Sequence, residues 1–374
     1  MVAAGFTPGE ADQLRRAMAA WKRHGGLQHY HDKLVAGMCA RGYDEHFAER
    51  LFNQIKGFGE YGFPESHAAS FALLAYVSAW LKCHEPAAFV AALLNSQPMG
   101  FYAPSQLLQD ARRHGVAVLP VAVNASDWDC TLTPTARDGE PAVQLGLRLV
   151  KGLSRTAAER LMAARAAGAF RDPTDLARRA GLARRELRLL AEAGALRELA
   201  GHRHRAHWAA LGEEPPLPLL PEIRINEATP LLRKPTDGED LLADYGRLGF
   251  SLGSHPLELL RPQLAELACL SAFEVQQARH GEYVHTVGLV TMRQRPGTAT
   301  GVVFITLEDE TGMLNLIVWS SLVESHRREV LGARLLGVHG KVQREGSVVH
   351  LLAEELTDHS ALLGQLSTSS RDFH

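Results

Sequence analysis

The sequence predicts a multi-domain α+β protein: a helical N-terminal region, a central basic helical unit and a C-terminal barrel of five strands. Three observations carry this prediction. A chain of 374 residues exceeds one typical small domain, and an apolar share of 46% is ample for several cores. Long helical segments fill the chain to about Val123, whereas beyond Tyr283 apolar residues alternate with polar ones as they do in strands. Between these lies a stretch, Val143 to Ala210, with 14 Lys or Arg against 6 Asp or Glu, although the whole chain carries a formal charge of -2. A basic block inside a slightly acidic chain is the electrostatic mark of a polyanion-binding module; the alternative is a solvated helical face.

The first helix is expected from Pro8 to Trp21, with Thr7 as N-cap and Pro8 at the first helical position. Two more follow, Leu27 to Arg41 and Asp44 to Ile55. Gly57, Gly59 and Gly62 then read as a hinge, because glycine permits backbone angles closed to other residues. Ser66 would cap the next helix, Ser66 to His84, and a helix N-terminus suits an anion such as phosphate. Its apolar run, Ala68 to Leu81, has 14 residues. A membrane span needs about 20. With Lys82, His84 and Glu85 directly after it, the run reads as a buried core helix, and no membrane contact is expected. Pro86 to Asn95 and Ser105 to His114 complete the helical series, and Val116 to Val123 reads as a short strand.

The four cysteines, Cys39, Cys83, Cys130 and Cys269, form no Cys-x-x-Cys pair. Free, mostly buried thiols in a reducing cytoplasm are expected, and a zinc ribbon is not. His202, His204 and His207 sit among cations that disfavour a metal. Met1 to Asp12 lacks the basic-then-apolar order of a secretory signal.

The second unit opens on a strand-like Val143 to Leu147. Arg148 to Leu161 then reads as a helix-hairpin-helix, in which a tight turn at Gly152 leaves N–H groups at the next helix start for a phosphate. Lys151 and Arg155 are the candidate DNA-backbone contacts, with Gly152 and Ser154 as main-chain donors. Such turns usually carry a second glycine where this chain has Ser154, which can still cap. The other reading is a packed helical pair. Asp172 to Leu196, with Gly181 and Gly194, reads as a related second copy. Prolines between Glu213 and Pro221 enforce an extended linker.

The last unit shows strands at Tyr283 to Arg293, Val302 to Asp309 and Met313 to Trp319, a helix at Ser320 to Leu331, then strands at Arg334 to Arg344 and Val348 to Glu355. Five strands with a helix between the third and fourth is the order of an OB-fold, a barrel that often binds single-stranded nucleic acid. Alternation turns Val303, Ile305, Leu307, Leu314, Leu316 and Val318 inward. It turns Phe304 and Trp319 outward, where they could stack on bases or pack beneath a neighbouring domain. Arg293, Arg295 and Lys341 flank them as phosphate contacts.

The wording of Gly57 to Tyr102 closely resembles the fingers region of bacterial family C DNA polymerase alpha subunits, above all the error-prone type used in damage-induced mutagenesis. The resemblance continues through Asp110 to Val116, Asn124 to Cys130, Arg293 to Thr298 and Ser370 to His374. It implies template-directed DNA synthesis in lesion tolerance and repair, with magnesium in the full polymerase. It implies partners as well: primer-template DNA, single-stranded DNA, deoxynucleoside triphosphates, a sliding clamp and mutagenesis accessory proteins. It places Ser66 and His67, with Lys82 further along, beside the incoming nucleotide. The family's palm carboxylates, which hold two metal ions, and its His-rich PHP domain have no counterpart in this chain. Asp127-Trp128-Asp129 has metal-ligand spacing but matches a non-catalytic family segment. The expectation is therefore a C-terminal piece, inactive alone, with no catalytic residue or cofactor of its own. Its expected parts are fingers at 1–123, a helix-hairpin-helix domain at 124–210, a connecting segment at 211–281, an OB-fold at 282–360 and a tail at 361–374. A stand-alone nucleic-acid-binding protein and an interaction module for clamp or accessory proteins are the rival readings.

Overall fold

A computed structural model describes residues 4–7, 9–14, 28–61, 65–99, 102–135, 140–212, 230–296, 301–366, 368 and 370–373. The chain divides into two compact units, residues 1–84 and 85–374. The proline-rich linker lies outside the described residues. Among the described residues no helix is long and apolar enough to cross a membrane.

In the first unit Thr7 caps residues 9–14. Its hydroxyl accepts the Glu10 N–H at 3.3 Å, and the Glu10 carboxylate accepts the Thr7 N–H at 3.0 Å. The helices Gln28–Cys39 and Glu45–Tyr61 pack around Leu14, Leu34, Met38, Ala48 and Phe52. Two of the three glycines expected in the hinge are helical instead. Gly57 and Gly59 lie inside the Glu45–Tyr61 helix, and Gly62 lies outside the described residues. Each helical glycine costs about 1 kcal/mol against alanine, a cost that a cooperative helix can carry.

The next helix begins one residue early, at Glu65, and runs to His84. Ser66 thus sits inside the first turn and is not the residue that caps it. Nor is this a buried helix: Phe71, Leu73, Leu74, Tyr76, Val77 and Trp80 are 46–70% exposed. A helix apolar all round usually sits inside a larger core. Among the described residues none encloses this one. The thiols depart from expectation in the same way: Cys39 and Cys83 are exposed, and only Cys130 and Cys269 are buried. Burial pushes the thiol pKa of both up.

The second unit begins with helices Pro86–Asn95 and Pro104–Arg113. Their buried residues, among them Val90, Leu94, Leu108 and Ala111, join the same core as the hairpin residues Leu153, Leu161, Leu176 and Leu190. A small sheet completes this core: β1 (Val118–Leu119) pairs parallel with β3 (Ala142–Gln144), and β2 (Thr131–Thr133) pairs antiparallel with it. Asparagine amides lock its loops. The Asn95 side chain donates to Cys130 O at 2.9 Å and accepts the Cys130 N–H at 2.8 Å. Asn124 holds Phe170 in the same two-bond manner.

Helices Asp237–Arg247, Pro256–Glu266 and Ala272–Gln277 connect this layer to the barrel. Six strands follow: β4 (Tyr283–Gln294), β5 (Val303–Glu308), β6 (Met313–Val318), β7 (Leu335–Glu345), β8 (Val348–Asp358) and β9 (Arg371–Phe373). Their order is β5-β6-β8-β7-β4-β9, and pairing of β5 with β4 closes a five-stranded barrel. The expected inward residues are buried in its core, with Leu316 and Val318 at 0% exposure. The expected helix after β6 is two short ones, Ser320–Ser325 and Arg327–Gly332, broken at His326. The tail strand β9 lies parallel on β4. The barrel is tied to the helical layer through Glu308. Its carboxylate accepts from Gln109 at 2.7 Å and lies 3.3 Å from the His255 ring.

Candidate nucleic-acid interface

The hairpin is built by local chemistry. Leu147–Leu149 forms a single 3-10 turn where a first helix was expected, and Gly152 turns the chain at φ +87°. That left-handed angle is open to glycine and strained for other residues. Leu153 is buried, and Ser154 caps the helix Arg155–Arg165 by accepting the Ala157 N–H at 3.2 Å. Lys151 and Arg155 are both exposed. Neither is idle: the Lys151 ammonium donates to Tyr245 O at 3.3 Å, and Arg155 pairs with Glu159 at 3.0 Å. The backbone N–H of Lys151 is spent on Arg247 O. These surface contacts are weak enough to yield to a phosphate.

A second turn repeats the first. Gly181, at φ +58°, is followed by buried Leu182, by Ala183 at the N-cap and by the helix Arg184–Glu192. The order Gly181-Leu182-Ala183-Arg184 matches Gly152-Leu153-Ser154-Arg155. Arg184 and Arg185 are exposed at this second helix start and were missed as individual candidates. The signal was the repeated Gly-Leu-small-Arg order. Much of the basic block, by contrast, serves the fold. The Arg165 guanidinium donates to Val123 O, Ser126 O and Asp127. Arg179 donates to Gly168 O at 2.6 Å, and Arg203 engages Asp240 and Asp244.

Asp127 and Asp129 do not form a cation site. Asp127 is paired with Arg165 and Asp129 with Arg148 at 2.7 Å, so each carboxylate already faces a positive charge. No step with magnesium follows from these residues.

On the barrel, Phe304 stands directly opposite Ile317 on the outward face, and Trp319 lies just beyond, 53% exposed. Lys341 is exposed in the neighbouring strand pair and Arg295 at the end of β4. Arg293 requires correction. It is 8% exposed, and its guanidinium donates to Val330 O at 2.6 Å, to Ala333 O and to Ser370. Asp372 lies 3.5 Å away. That guanidinium fastens the short helices and the tail to β4 and faces no solvent where a phosphate could meet it.

In the first unit His67 packs its ring on Phe71, with centroids 4.4 Å apart. Lys82 lies in the last turn of the same helix, roughly 22 Å further along its axis. One triphosphate does not reach both, so the structure separates Lys82 from Ser66 and His67.

Three family models match the chain: the bacterial DNA polymerase III alpha subunit finger domain at residues 1–42, a helix-hairpin-helix motif at 115–206 and an OB-fold nucleic acid binding domain at 284–358. The error-prone DNA polymerase of Alkalilimnicola ehrlichii is 63% identical over 100% of this chain and 36% of its own length. That of Aromatoleum aromaticum is 61% identical, again over 100% of this chain and 35% of its own. Similarity at this level along the whole chain, together with the three modules in one sequence, places the protein in the error-prone DNA polymerase family, of whose members it spans little more than a third of the length.

Proposed function

We propose that this chain is the DNA-holding part of an error-prone polymerase that extends primers on damaged templates. Its hairpins grip the duplex backbone and its barrel holds the single-stranded template. One observation carries the reading. A chain similar throughout to error-prone polymerases presents two Gly-Leu-small-Arg turns, each at a helix start, and a barrel with outward aromatics. Hairpin contacts of this kind position DNA without reading its sequence, which suits an enzyme that must accept any template.

Ser66 and His67 approach the incoming deoxynucleoside triphosphate in this reading, and Lys82 does not share that phosphate. In this reading the carboxylates that would hold magnesium belong to the palm of the whole polymerase, and a sliding clamp and mutagenesis accessory proteins are further partners. Lys151→Glu combined with Arg155→Glu tests the hairpin, read by fluorescence anisotropy on a primer-template over a range of salt. Each lost phosphate contact is expected to flatten the dependence of log affinity on log salt by about one unit. An unchanged slope would remove the hairpin from the interface.

A further inference from the structure

The outward residues of the barrel form one row across all five strands. Phe304 on β5 stands opposite Ile317 on β6, and Ile317 stands opposite Leu352 on β8. Leu352 is opposite Lys341 on β7, and Lys341 is opposite Tyr283 on β4. Neighbouring strands lie about 4.8 Å apart, so the row runs roughly 19 Å around the barrel. Its first three members are partly buried and apolar, and its last two are exposed.

The far end has the chemistry of a second stacking point. Tyr283 is 55% exposed, and its ring lies nearly parallel to that of His339, with centroids 5.9 Å apart and planes at 15°. The Lys341 ammonium lies 5.8 Å from the centre of the same tyrosine ring. An exposed aromatic pair with a cation beside it presents a π-face for a base and a charge for the adjoining phosphate. Glu355, opposite His339 on β8, borders the row with a carboxylate that repels a phosphate backbone. The feature is therefore a track with two aromatic ends, Phe304 with Trp319 at one and Tyr283 with His339 at the other, joined by an apolar floor and Lys341.

We propose that single-stranded DNA crosses the barrel along this row, and that Tyr283 and His339 form a second base-stacking subsite. The proposal rests on reading the barrel as a single-strand site. The test uses the full chain carrying Lys151→Glu and Arg155→Glu, so that the first hairpin contributes little, and measures anisotropy with oligothymidylates of increasing length. Trp319→Ala is expected to weaken binding at every length. Tyr283→Ala with His339→Ala is expected to leave the shortest bound oligomer unchanged and to cost about tenfold on longer ones, the loss of one stacked base. Tyr283→Phe keeps the ring and should keep the affinity, which separates stacking from damage to the fold. Equal affinity of parent and double variant at all lengths overturns the track, as does a loss of the same size at every length. Failure of the parent itself to bind oligothymidylate overturns the single-strand reading with it.

Discussion

The helix Glu65–His84 and the barrel are both rich in apolar residues, and they meet opposite fates. Each barrel strand presents its apolar residues on one face, and the neighbouring strands turn the same face inward, so Leu316 and Val318 reach 0% exposure. The helix carries Phe71, Leu73, Leu74, Tyr76, Val77 and Trp80 over more than half of its circumference, and all are exposed. The difference teaches that apolar content alone does not place a segment in a core. Burial requires complementary surface, which each barrel strand finds in its neighbours.

The largest expected effect sets the two regions directly against each other. Leu316→Ala should cost about 2–5 kcal/mol in the unfolding transition of the barrel, because it empties a closed core. Leu74→Ala, at a position 60% exposed, should stay within about 0.5 kcal/mol in denaturant titration. A comparable cost at both positions would break the contrast.

Thiol labelling sharpens the contrast within one measurement. Cys83, exposed at the end of the apolar helix, should react with a maleimide in the folded chain. Cys130, buried and with its thiol pKa pushed up, should react only after unfolding. Protection of Cys83 would show that the helix is covered after all.

The smallest effect concerns a contact that depends on neither core. Glu239 caps Asp237–Arg247 through Thr236, and its bond to Arg233 pulls its carboxyl pKa down to about 2. A depressed pKa stabilises the fold above the ordinary value of about 4.5, and that contribution fades as the pH falls toward 2. Glu239→Gln should therefore remove a small part of the stability measured at pH 7 and change little near pH 2, read by helical circular dichroism during acid titration.

The barrel was legible because strand alternation is a local signal of period two, and Val303 to Leu307 and Leu314 to Val318 obey it residue by residue. The strands that escaped, β2 and β9, have three residues each, too few for a period to show, and the strand expected at Val116 to Val123 is only the two residues of β1. The hairpin turn was legible through Gly152 and Ser154, and the second turn in outline through Gly181. The fate of the arginines was not. Arg293 and Arg295 stand two apart in sequence, the first inside β4 and the second just past its end, and the first is buried under the short helices and the tail while the second is exposed. The elements that cover Arg293 come from more than thirty residues away. No local pattern announces them.

By itself, the sequence determined the chain's family, the order of its helical, hairpin and barrel modules, and the inward face of each long strand. These are encoded by neighbours in sequence: wording, capping residues, glycine turns and periodicity. Only the tertiary structure decided that Gly57 and Gly59 continue a helix, that Phe71, Leu73 and Trp80 of the apolar helix are exposed, that Arg293 is a structural clamp, and that Phe304 and Tyr283 end one row around the barrel. Each of those outcomes depends on which distant surface arrives, and burial and charge pairing are settled by that arrival.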